Sequence, residues 1–174
     1  MTSETLRVLK ERRSIRKFKP QQISDAELEA VLEAATYAPS GKNRQPCIII
    51  AVQNKEDIAQ LTKMNAAVLG VDTDPYYGAP TIVLILSNTE TTTPVEDGSA
   101  VTTYITVAAA ALGLGTCWIN RERQMFESGE GKALLQKWGV TGEYIGIAAC
   151  SLGYPESDSP KVLARKEGRV VRVK

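Results

Sequence analysis

The 174-residue sequence contains no histidine. This absence excludes histidine-based catalytic triads, histidine-liganded metal sites and histidine acid–base catalysis. The sequence therefore predicts no metal site and no catalytic side chain of these kinds. Redox or proton chemistry must use another acid or base, or must come from a bound cofactor.

Cysteine is also scarce. The three residues of this type, Cys47, Cys117 and Cys150, lie far apart in the sequence, and no CxxC motif occurs. A disulfide framework or a cysteine-based zinc site is therefore not expected, and a reduced, cytoplasmic compartment fits best. Their apolar neighbours indicate that the three cysteines are small core residues.

Neither sign of charge is in excess, because 21 Lys and Arg residues stand against 20 Asp and Glu, for a net charge of +1. This balance favours neither nucleic acid nor an acidic membrane surface as a partner. The apolar run from Val107 to Leu114 is far shorter than the roughly 20 residues of a membrane span. The first 16 residues are polar and basic and lack the apolar segment of a signal peptide.

Hydrophobic periodicity and capping residues predict alternating helices and strands over residues 1–174, which we expect to form a single domain. Ser24 and Glu27 form a capping box, and the apolar spacing after it predicts a helix to about Tyr37. Further helices are predicted over 3–12, after Asn54, from an Asp97 cap to Leu112, and over 132–138. Buried strands are predicted over 47–52, 81–86 and 144–152, with 116–119 extended and 170–173 as a further edge strand. The stretches 72–80 and 87–98 are predicted loops.

The small predicted sheet would leave helix surface uncovered in a monomer, so the sequence also favours an oligomer. Two glycine-containing segments that resemble nucleotide-binding motifs do not match them. The Gly41-Lys42 pair lacks the first, upstream glycine of a P-loop and the Ser or Thr that follows its lysine. Gly113 and Gly115 follow a helix rather than a strand, unlike the glycines of a dinucleotide-binding motif.

The first informative segment is RRSIRKF, residues 12–18, which holds four cations in seven residues. In an extended chain Arg12, Ser14 and Arg16 face the same way, giving guanidinium and hydroxyl donors for an anion such as phosphate. A solvated basic arm is the alternative interpretation. A nucleic-acid-binding arm is a third, and it is weaker because the rest of the chain is not basic.

Two further segments carry polar groups suited to a ligand. APSGKNRQP, residues 38–46, is a proline-bracketed loop in which Ser40, Asn43 and Gln45 can hydrogen-bond the edges of a heteroaromatic ring. In LGLGTCWIN, residues 112–120, two glycines end a helix and release an extended segment whose main-chain amides can face a ligand closely.

Taken in order, these segments resemble the FMN-dependent nitroreductase family. The resemblance runs from about Leu6 to Arg169 and includes Gly78-Ala79-Pro80 before a strand and IAACSLGYP at 147–155. It implies an α+β, nitroreductase-like fold with a mostly antiparallel central sheet flanked by helices. It also implies a homodimer with FMN in the interface, and a C-terminal tail, about 160–174, that packs on the partner subunit.

The resemblance also implies roles for individual residues. Arg12 and Arg13 would approach the FMN phosphate, Ser14 the pyrimidine edge of the ring, and Arg16 its N1/O2 side. Backbone around Trp118, Ile119 and Asn120 would reach N5 and O4, and Arg165 with Lys166 would help to bind phosphate. The other subunit would supply the loop residues Pro39, Ser40, Gly41, Asn43 and Gln45.

The sequence departs from the family pattern at two places. Thr103-Tyr104 stands where many members have Gln-Asn, and Asn120-Arg121 where many have Gly-Gly. These changes preserve a backbone amide but make the floor over the flavin and the substrate channel bulkier.

The function implied is that of an FMN-dependent NAD(P)H oxidoreductase with a ping-pong cycle. NAD(P)H would reduce FMN at N5, and a nitro compound, a quinone or a similar small oxidant would then reoxidise it. Flavin chemistry needs no histidine, and a cation at Arg16 would stabilise the reduced, anionic ring. The alternative is a flavin-binding storage or sensing protein without significant turnover.

Overall fold

A computed structural model of the chain describes residues 3–157 and 160–174. Within these residues there are six α-helices, four β-strands and one 3₁₀ turn at Gly41–Asn43. The helices are α1 (Glu4–Glu11), α2 (Asp25–Thr36), α3 (Lys55–Leu69), α4 (Pro94–Ala111), α5 (Glu122–Glu127) and α6 (Gly129–Lys137). The strands are β1 (Cys47–Val52), β2 (Thr81–Asn88), β3 (Gly115–Ile119) and β4 (Tyr144–Gly153).

The strands form one sheet in the order β1-β2-β4-β3, and every neighbouring pair is antiparallel. Cys47 pairs with Ser87, Ser87 with Ile145, and Thr116 with Leu152. The last strand in sequence, β4, therefore lies inside the sheet, and β3 is attached to the other strands only through it. The α+β fold class with an antiparallel sheet is confirmed.

Alternate residues of β2 pack into two separate apolar clusters. Ile82, Leu84 and Leu86 lie in one, with side chains from α3, α5 and α6. Val83 and Ile85 lie in the other, with side chains from α2 and α4. Since neighbouring side chains of a strand point to opposite faces, the sheet separates two helical layers.

The best-supported helix predictions rest on caps, and the structure has those caps. Ser24 Oγ accepts from the Glu27 amide at 3.3 Å, and the Glu27 carboxylate accepts from the Ser24 amide at 2.9 Å. Asn54 caps α3 by accepting from the Asp57 amide at 3.0 Å. Each cap satisfies an amide that would otherwise have no partner in the first turn, which fixes where the helix begins.

The predicted start of α4 is wrong. The helix begins at Pro94, with Thr93 at the N-cap position, and Asp97 is a buried residue of the first turn. Proline is well suited to the first helical turn, where its missing N–H is not needed. The predicted loop over 87–98 is correspondingly shorter, because β2 extends to Asn88.

Three further expectations need correction. Helix α5 was not predicted. Helix α6 begins at Gly129 rather than Lys132, because the Ser128 hydroxyl caps it by accepting from the Gly131 amide at 3.1 Å. The tail forms no strand within the described residues 160–174, and Val170, Val171 and Val173 are exposed. The fourth strand is instead the extended segment at Gly115–Ile119, which pairs with β4.

Among the helices of residues 3–157 and 160–174, none combines the length and the apolar character that crossing a membrane requires.

Candidate functional site

The cation-rich segment at residues 12–18 lies against the outer edge of β3. The Ile15 amide donates to the Thr116 carbonyl at 2.8 Å. Further along, the Lys19 amide donates to the Tyr154 carbonyl at 2.9 Å, and the Glu156 amide donates to the Lys17 carbonyl at 3.1 Å. Ile15 and Phe18 are buried, so these two apolar side chains and the backbone hydrogen bonds hold the segment while Arg16 and Lys17 remain exposed.

Gly115 allows this close approach. A Cβ atom at Gly115 would lie 2.9–3.1 Å from three side-chain carbons of Ile15. Such distances are too short for carbon atoms, so a larger residue would displace the segment from β3.

Arg12, Ser14 and Arg16, which were predicted to face the same way, all act on the thiol of Cys117, the residue after Thr116 on β3. Burial raises the pKa of the Cys117 thiol, while Arg16, the Ser14 hydroxyl and Arg12 each lower it. All three side chains therefore lie close enough to the thiol to act on its charge. The structure brings these three predicted site residues together.

Arg13 turns back toward the end of α1. Its Nη1 donates to the carbonyls of Lys10 and Arg12 at 2.8 and 2.6 Å. Its Nε and Nη2 are buried and have no hydrogen-bond partner among residues 3–157 and 160–174. A cavity of about 180 Å³ adjoins Arg12 and Arg13. Unpartnered guanidinium donors beside a cavity are what an anionic group would satisfy.

Arg16 rests on a tyrosine that the sequence analysis did not single out. Its guanidinium carbon lies 5.8 Å from the centre of the Tyr77 ring. Tyr77 has φ +61°, an uncommon backbone conformation for a bulky side chain. The Asp74 carboxylate holds the turn by accepting from the amides of Tyr76 and Gly78, at 2.8 and 2.6 Å. The turn thus presents the Tyr77 ring to Arg16.

The turn between β3 and α5 presents a free main-chain amide. The Asn120 carbonyl accepts from Asn65 Nδ2 at 3.1 Å, which directs this carbonyl toward α3. Since no described peptide bond is cis, the N–H of Arg121 points the opposite way, and it has no hydrogen-bond partner in the described part of the chain. Arg121 has φ +89°, and its Nε donates to Asn65 Oδ1 at 2.7 Å.

Behind this turn lies a buried polar cluster of Asn65, Tyr76 and Glu122, each 0% exposed. Glu122 Oε1 accepts from Asn65 Nδ2 and from the Tyr76 hydroxyl, each at 3.2 Å. Burial raises the pKa of Glu122 to about 7. Sequence reasoning missed this cluster. One signal was present: Asn65 follows the buried Leu61 by four residues and so lies on the same face of the helix.

The loop at residues 38–46 is held in a strained conformation. Lys42, Asn43 and Gln45 have φ of +54°, +52° and +49°. Ser40 Oγ accepts from the Gln45 amide at 2.9 Å, and Gln45 Nε2 donates to Asn43 Oδ1 at 3.1 Å. Left-handed conformations outside glycine cost free energy and persist only where surrounding contacts impose them.

Asp97 supplies the contact that ties this loop to α4. Its Oδ1 accepts from the Gly41 amide at 2.8 Å, and its Oδ2 accepts from Thr93 Oγ1 at 3.0 Å. The residue expected to cap α4 therefore positions the predicted ligand-binding loop instead.

The loop and the cation-rich segment lie on opposite edges of the sheet. The loop leads into β1, and the segment lies beyond β3, four inter-strand steps or about 19 Å away. The loop and the segment are also offset in the direction of β4. Cys47, where the loop ends, lies level with Ile145, and Thr116, beside the segment, lies level with Leu152. Ile145 and Leu152 are about 23 Å apart along the strand. One copy of the chain therefore does not bring the two groups together.

The predicted phosphate ligands Arg165 and Lys166 lie in the exposed tail. They line a shallow cavity formed with Gly168, Arg169 and Val170, all of the tail itself. No tail residue lines the cavity beside Arg12 and Arg13. The structure does not bring this pair to the other cations.

Comparison with known proteins gives consistent similarities. The profile of the Nitroreductase family matches residues 9–75. A protein of Archaeoglobus fulgidus, named for a proposed NADH dehydrogenase or NAD(P)H nitroreductase activity, is 35% identical over 161 residues, covering 89% of this chain and 87% of the relative.

Two solved structures share the fold over the whole chain. A nitroreductase with bound FMN from Bacteroides fragilis has 29% identity and a TM-score of 0.91, covering 99% of this chain and 100% of that one. A nitroreductase with bound FMN from Desulfitobacterium hafniense has 28% identity and a TM-score of 0.89, with both chains covered completely.

The role of Asp97 gives a testable prediction. Asp97→Ala leaves the Gly41 amide and the Thr93 hydroxyl without their acceptor. We expect a loss of about 1.5–3 kcal/mol in unfolding free energy, together with faster hydrogen exchange at the Gly41 amide. Glu96→Ala, one residue away and exposed, is the matched control and should change neither. Unaltered exchange at Gly41 in Asp97→Ala would contradict the assignment.

Proposed function

The chain belongs to the nitroreductase family, and from this premise we propose that it is an FMN-dependent NAD(P)H oxidoreductase that works as a homodimer. FMN, when bound, supplies the redox chemistry: NAD(P)H delivers a hydride to N5, and a nitro compound, quinone or similar oxidant then takes the electrons in a ping-pong cycle. The protein's own residues bind the cofactor, orient it and set the charge around it.

The observation that carries the proposal is the separation of complementary ligand-binding groups on opposite sheet edges. The 12–18 segment offers cations and the 38–46 loop offers amides and a hydroxyl, yet a single copy keeps them too far apart to hold one flavin. Two copies related by a twofold axis can place the loop of one beside the segment of the other, which creates two equivalent sites.

The cation-rich segment fits the phosphate and pyrimidine ends of FMN. Arg12 and Arg13, which line one cavity, would hold the phosphate. Ser14 would bond the pyrimidine edge. Arg16 would face N1 and O2, where its charge stabilises the negative charge that appears on reduction.

The β3–α5 turn fits the central part of the ring. Backbone at Trp118, Ile119 and Asn120 would lie along N5 and O4, and the outward N–H of Arg121 continues this row of donors. Because Asn65 holds the Asn120–Arg121 peptide from behind, the donor is oriented before the cofactor arrives.

The partner would complete the site through its loop, with ligands Pro39, Ser40, Gly41, Asn43 and Gln45. The strained backbone and the Asp97 contact hold these groups in one arrangement, which lowers the entropy lost on binding. We further propose that the exposed tail, 160–174, packs on the partner and carries Arg165 and Lys166 to the phosphate there.

Reduction of the bound flavin tests the proposal most directly. The purified protein should be yellow, and anaerobic NADH or NADPH should bleach it at once. A nitroaromatic or a quinone should then restore the colour through many turnovers. A colourless protein that cannot be loaded with FMN would contradict the proposal, and a yellow protein that neither nucleotide bleaches would indicate storage or sensing.

Mixed dimers test whether two copies share each site. We would combine an Arg12→Ala protomer with an Asn43→Ala/Gln45→Ala protomer, isolated through two different affinity tags. If segment and loop meet across the interface, the mixed dimer has one intact and one doubly altered site. Loss of a hydrogen bond to a charged group costs about 1.5–3 kcal/mol, or roughly tenfold to a hundredfold in affinity. Titration should thus give one tight FMN per mixed dimer and none in either parent; two weakened sites would place both groups within one protomer.

Arg16 gives a prediction about electrochemistry. Only an interaction that is stronger with the reduced flavin than with the oxidised flavin changes the reduction potential. Loss of about 1.5–3 kcal/mol in Arg16→Gln should lower the two-electron midpoint by roughly 30–65 mV. Spectroelectrochemical titration of FMN-loaded protein measures this, with the exposed neighbour Lys17→Gln as control. An unchanged midpoint in fully loaded Arg16→Gln would rule out the tuning role.

A further inference from the structure

We propose that Glu122 is a proton-binding positioning residue, which takes up a proton when the flavin outside the Asn120–Arg121 peptide is reduced and thereby changes the hydrogen bonding of that peptide. The inference rests on the proposed function, because it requires a flavin at this turn. It concerns the side of the peptide that faces the protein interior, where the cluster of Asn65, Tyr76 and Glu122 lies.

The surroundings of Glu122 do not stabilise a charged carboxylate fully. The side chain is 0% exposed, and Oε1 accepts from Asn65 Nδ2 and the Tyr76 hydroxyl at 3.2 Å each. A hydrogen bond from the Glu122 backbone also favours the charged form, but burial outweighs these contacts. Oε2 is buried and has no hydrogen-bond partner in the part of the chain that the structure describes. A buried carboxylate oxygen without a donor favours the neutral acid.

Glu122 is the group of this cluster that changes charge near neutral pH. Burial raises its pKa from 4.5 to about 7. The other ionisable groups facing it are Tyr76 from the loop after α3, Arg121 from its own turn, and Cys150 from β4. Burial raises the pKa of Tyr76 and of Cys150, so both stay neutral, while Arg121 keeps its fixed charge. Helix α3 contributes the uncharged Asn65.

Asn65 transmits the charge of Glu122 to the turn. Its two N–H groups face three acceptors, namely Tyr76 Oη at 3.2 Å, Glu122 Oε1 at 3.2 Å and the Asn120 carbonyl at 3.1 Å. A charged Glu122 competes strongly for these hydrogens, and a neutral one competes less. Protonation of Glu122 therefore leaves more of the Asn65 amide to the Asn120 carbonyl.

The opposite side of the same peptide is the outward N–H of Arg121. A stronger hydrogen bond to a peptide carbonyl polarises the peptide and makes its N–H a better donor. Protonated Glu122 therefore favours a more electron-rich flavin at that N–H in two ways: a negative charge is removed and a donor is strengthened.

Reduction should in turn raise the affinity of Glu122 for a proton. Two hydrogen bonds separate its carboxylate from the Asn120 carbonyl. A new negative charge about 10 Å away, at an effective dielectric near 20, raises a carboxyl pKa by about one unit. Reduction by NAD(P)H brings two electrons and one proton as a hydride, and Glu122 takes up to about half a further proton from solvent.

The pH dependence of the flavin midpoint potential tests this proposal. One proton per two electrons gives about 30 mV per pH unit, and two protons give about 60 mV. Because a pKa rise of about one unit adds at most about half a proton, the slope of the wild-type protein loaded with FMN should rise to about 45 mV per pH unit between about pH 7 and pH 8. Glu122→Gln, which imitates the neutral acid, should keep the shallow slope throughout. It should match wild type at acid pH and lie about 30 mV higher at alkaline pH.

Two further variants make the test specific. The exposed residue Glu127, on the same helix as Glu122, should give a wild-type profile when changed to Gln. Tyr76→Phe removes a donor to the charged carboxylate, so its steep region should move to higher pH. An identical slope in wild type and Glu122→Gln, with both fully loaded, would overturn the proposal even where bleaching by NAD(P)H succeeds.

The pH dependence of unfolding gives a readout that requires no flavin. The folded protein holds the Glu122 proton between about pH 4.5 and 7, where the unfolded chain does not, so stability falls as pH rises through this range. Glu122→Gln should lack this fall, and above pH 7 its unfolding equilibrium constant should be lower than that of wild type by roughly 300-fold. Equal pH profiles would show that Glu122 does not titrate as inferred. A chain that shows the expected fall and binds no FMN would overturn the coupling together with the proposed function.

Discussion

The cation-rich half of the site depends on the contact between residues 12–18 and the edge of β3. The hydrogen bond from the Ile15 amide to the Thr116 carbonyl sets the register of the segment, and Gly115 leaves room for the Ile15 side chain. The burial of Phe18 fixes the far end beside Pro155. With the backbone held in this way, Arg12, Ser14 and Arg16 converge without needing contacts to one another.

The two edges of the sheet use different physical means to prepare polar groups. At β3 the donors are positioned by regular pairing and, behind the turn, by the fully buried Asn65. At β1 the loop is held by a buried carboxylate, Asp97, against an unfavourable backbone conformation. Both arrangements fix the donors before a ligand is present, and a rigid donor set loses little entropy when it binds.

Much of this architecture was predictable because its signals are local. The capping residues of α2 and α3 and the continuous apolar runs of β1, β2 and β4 lie within a few residues of the elements that they define. The RRSIRKF and APSGKNRQP segments were identified by composition and by a family resemblance. The structure brings Arg12, Ser14 and Arg16 together, whereas the roles proposed for individual residues at a flavin remain predictions.

The features that were missed depend on contacts between distant parts of the chain. Asn65 meets Glu122 across 57 residues, and Asp97 meets Gly41 across 56, so no local pattern reveals either contact. Asp97 was assigned as a cap because an acidic residue at a helix start commonly has that role. The tail was assigned as a strand on its valines, but these valines are exposed, and the fourth strand is Gly115–Ile119, which pairs with β4.

The position of β4 in the sheet has a consequence for biosynthesis. During synthesis β1 and β2 emerge early and can pair. Strand β3 has no neighbour in the sheet until β4, the last strand made, is placed between β2 and β3. Residues 12–18, although among the first to leave the ribosome, have no formed edge to join until about residue 156 has followed. The cation cluster thus forms at the end of folding, through contacts of very long sequence separation, which form slowly. A nascent chain that has not yet reached β4 would therefore present these arginines without the strand edge that brings them together.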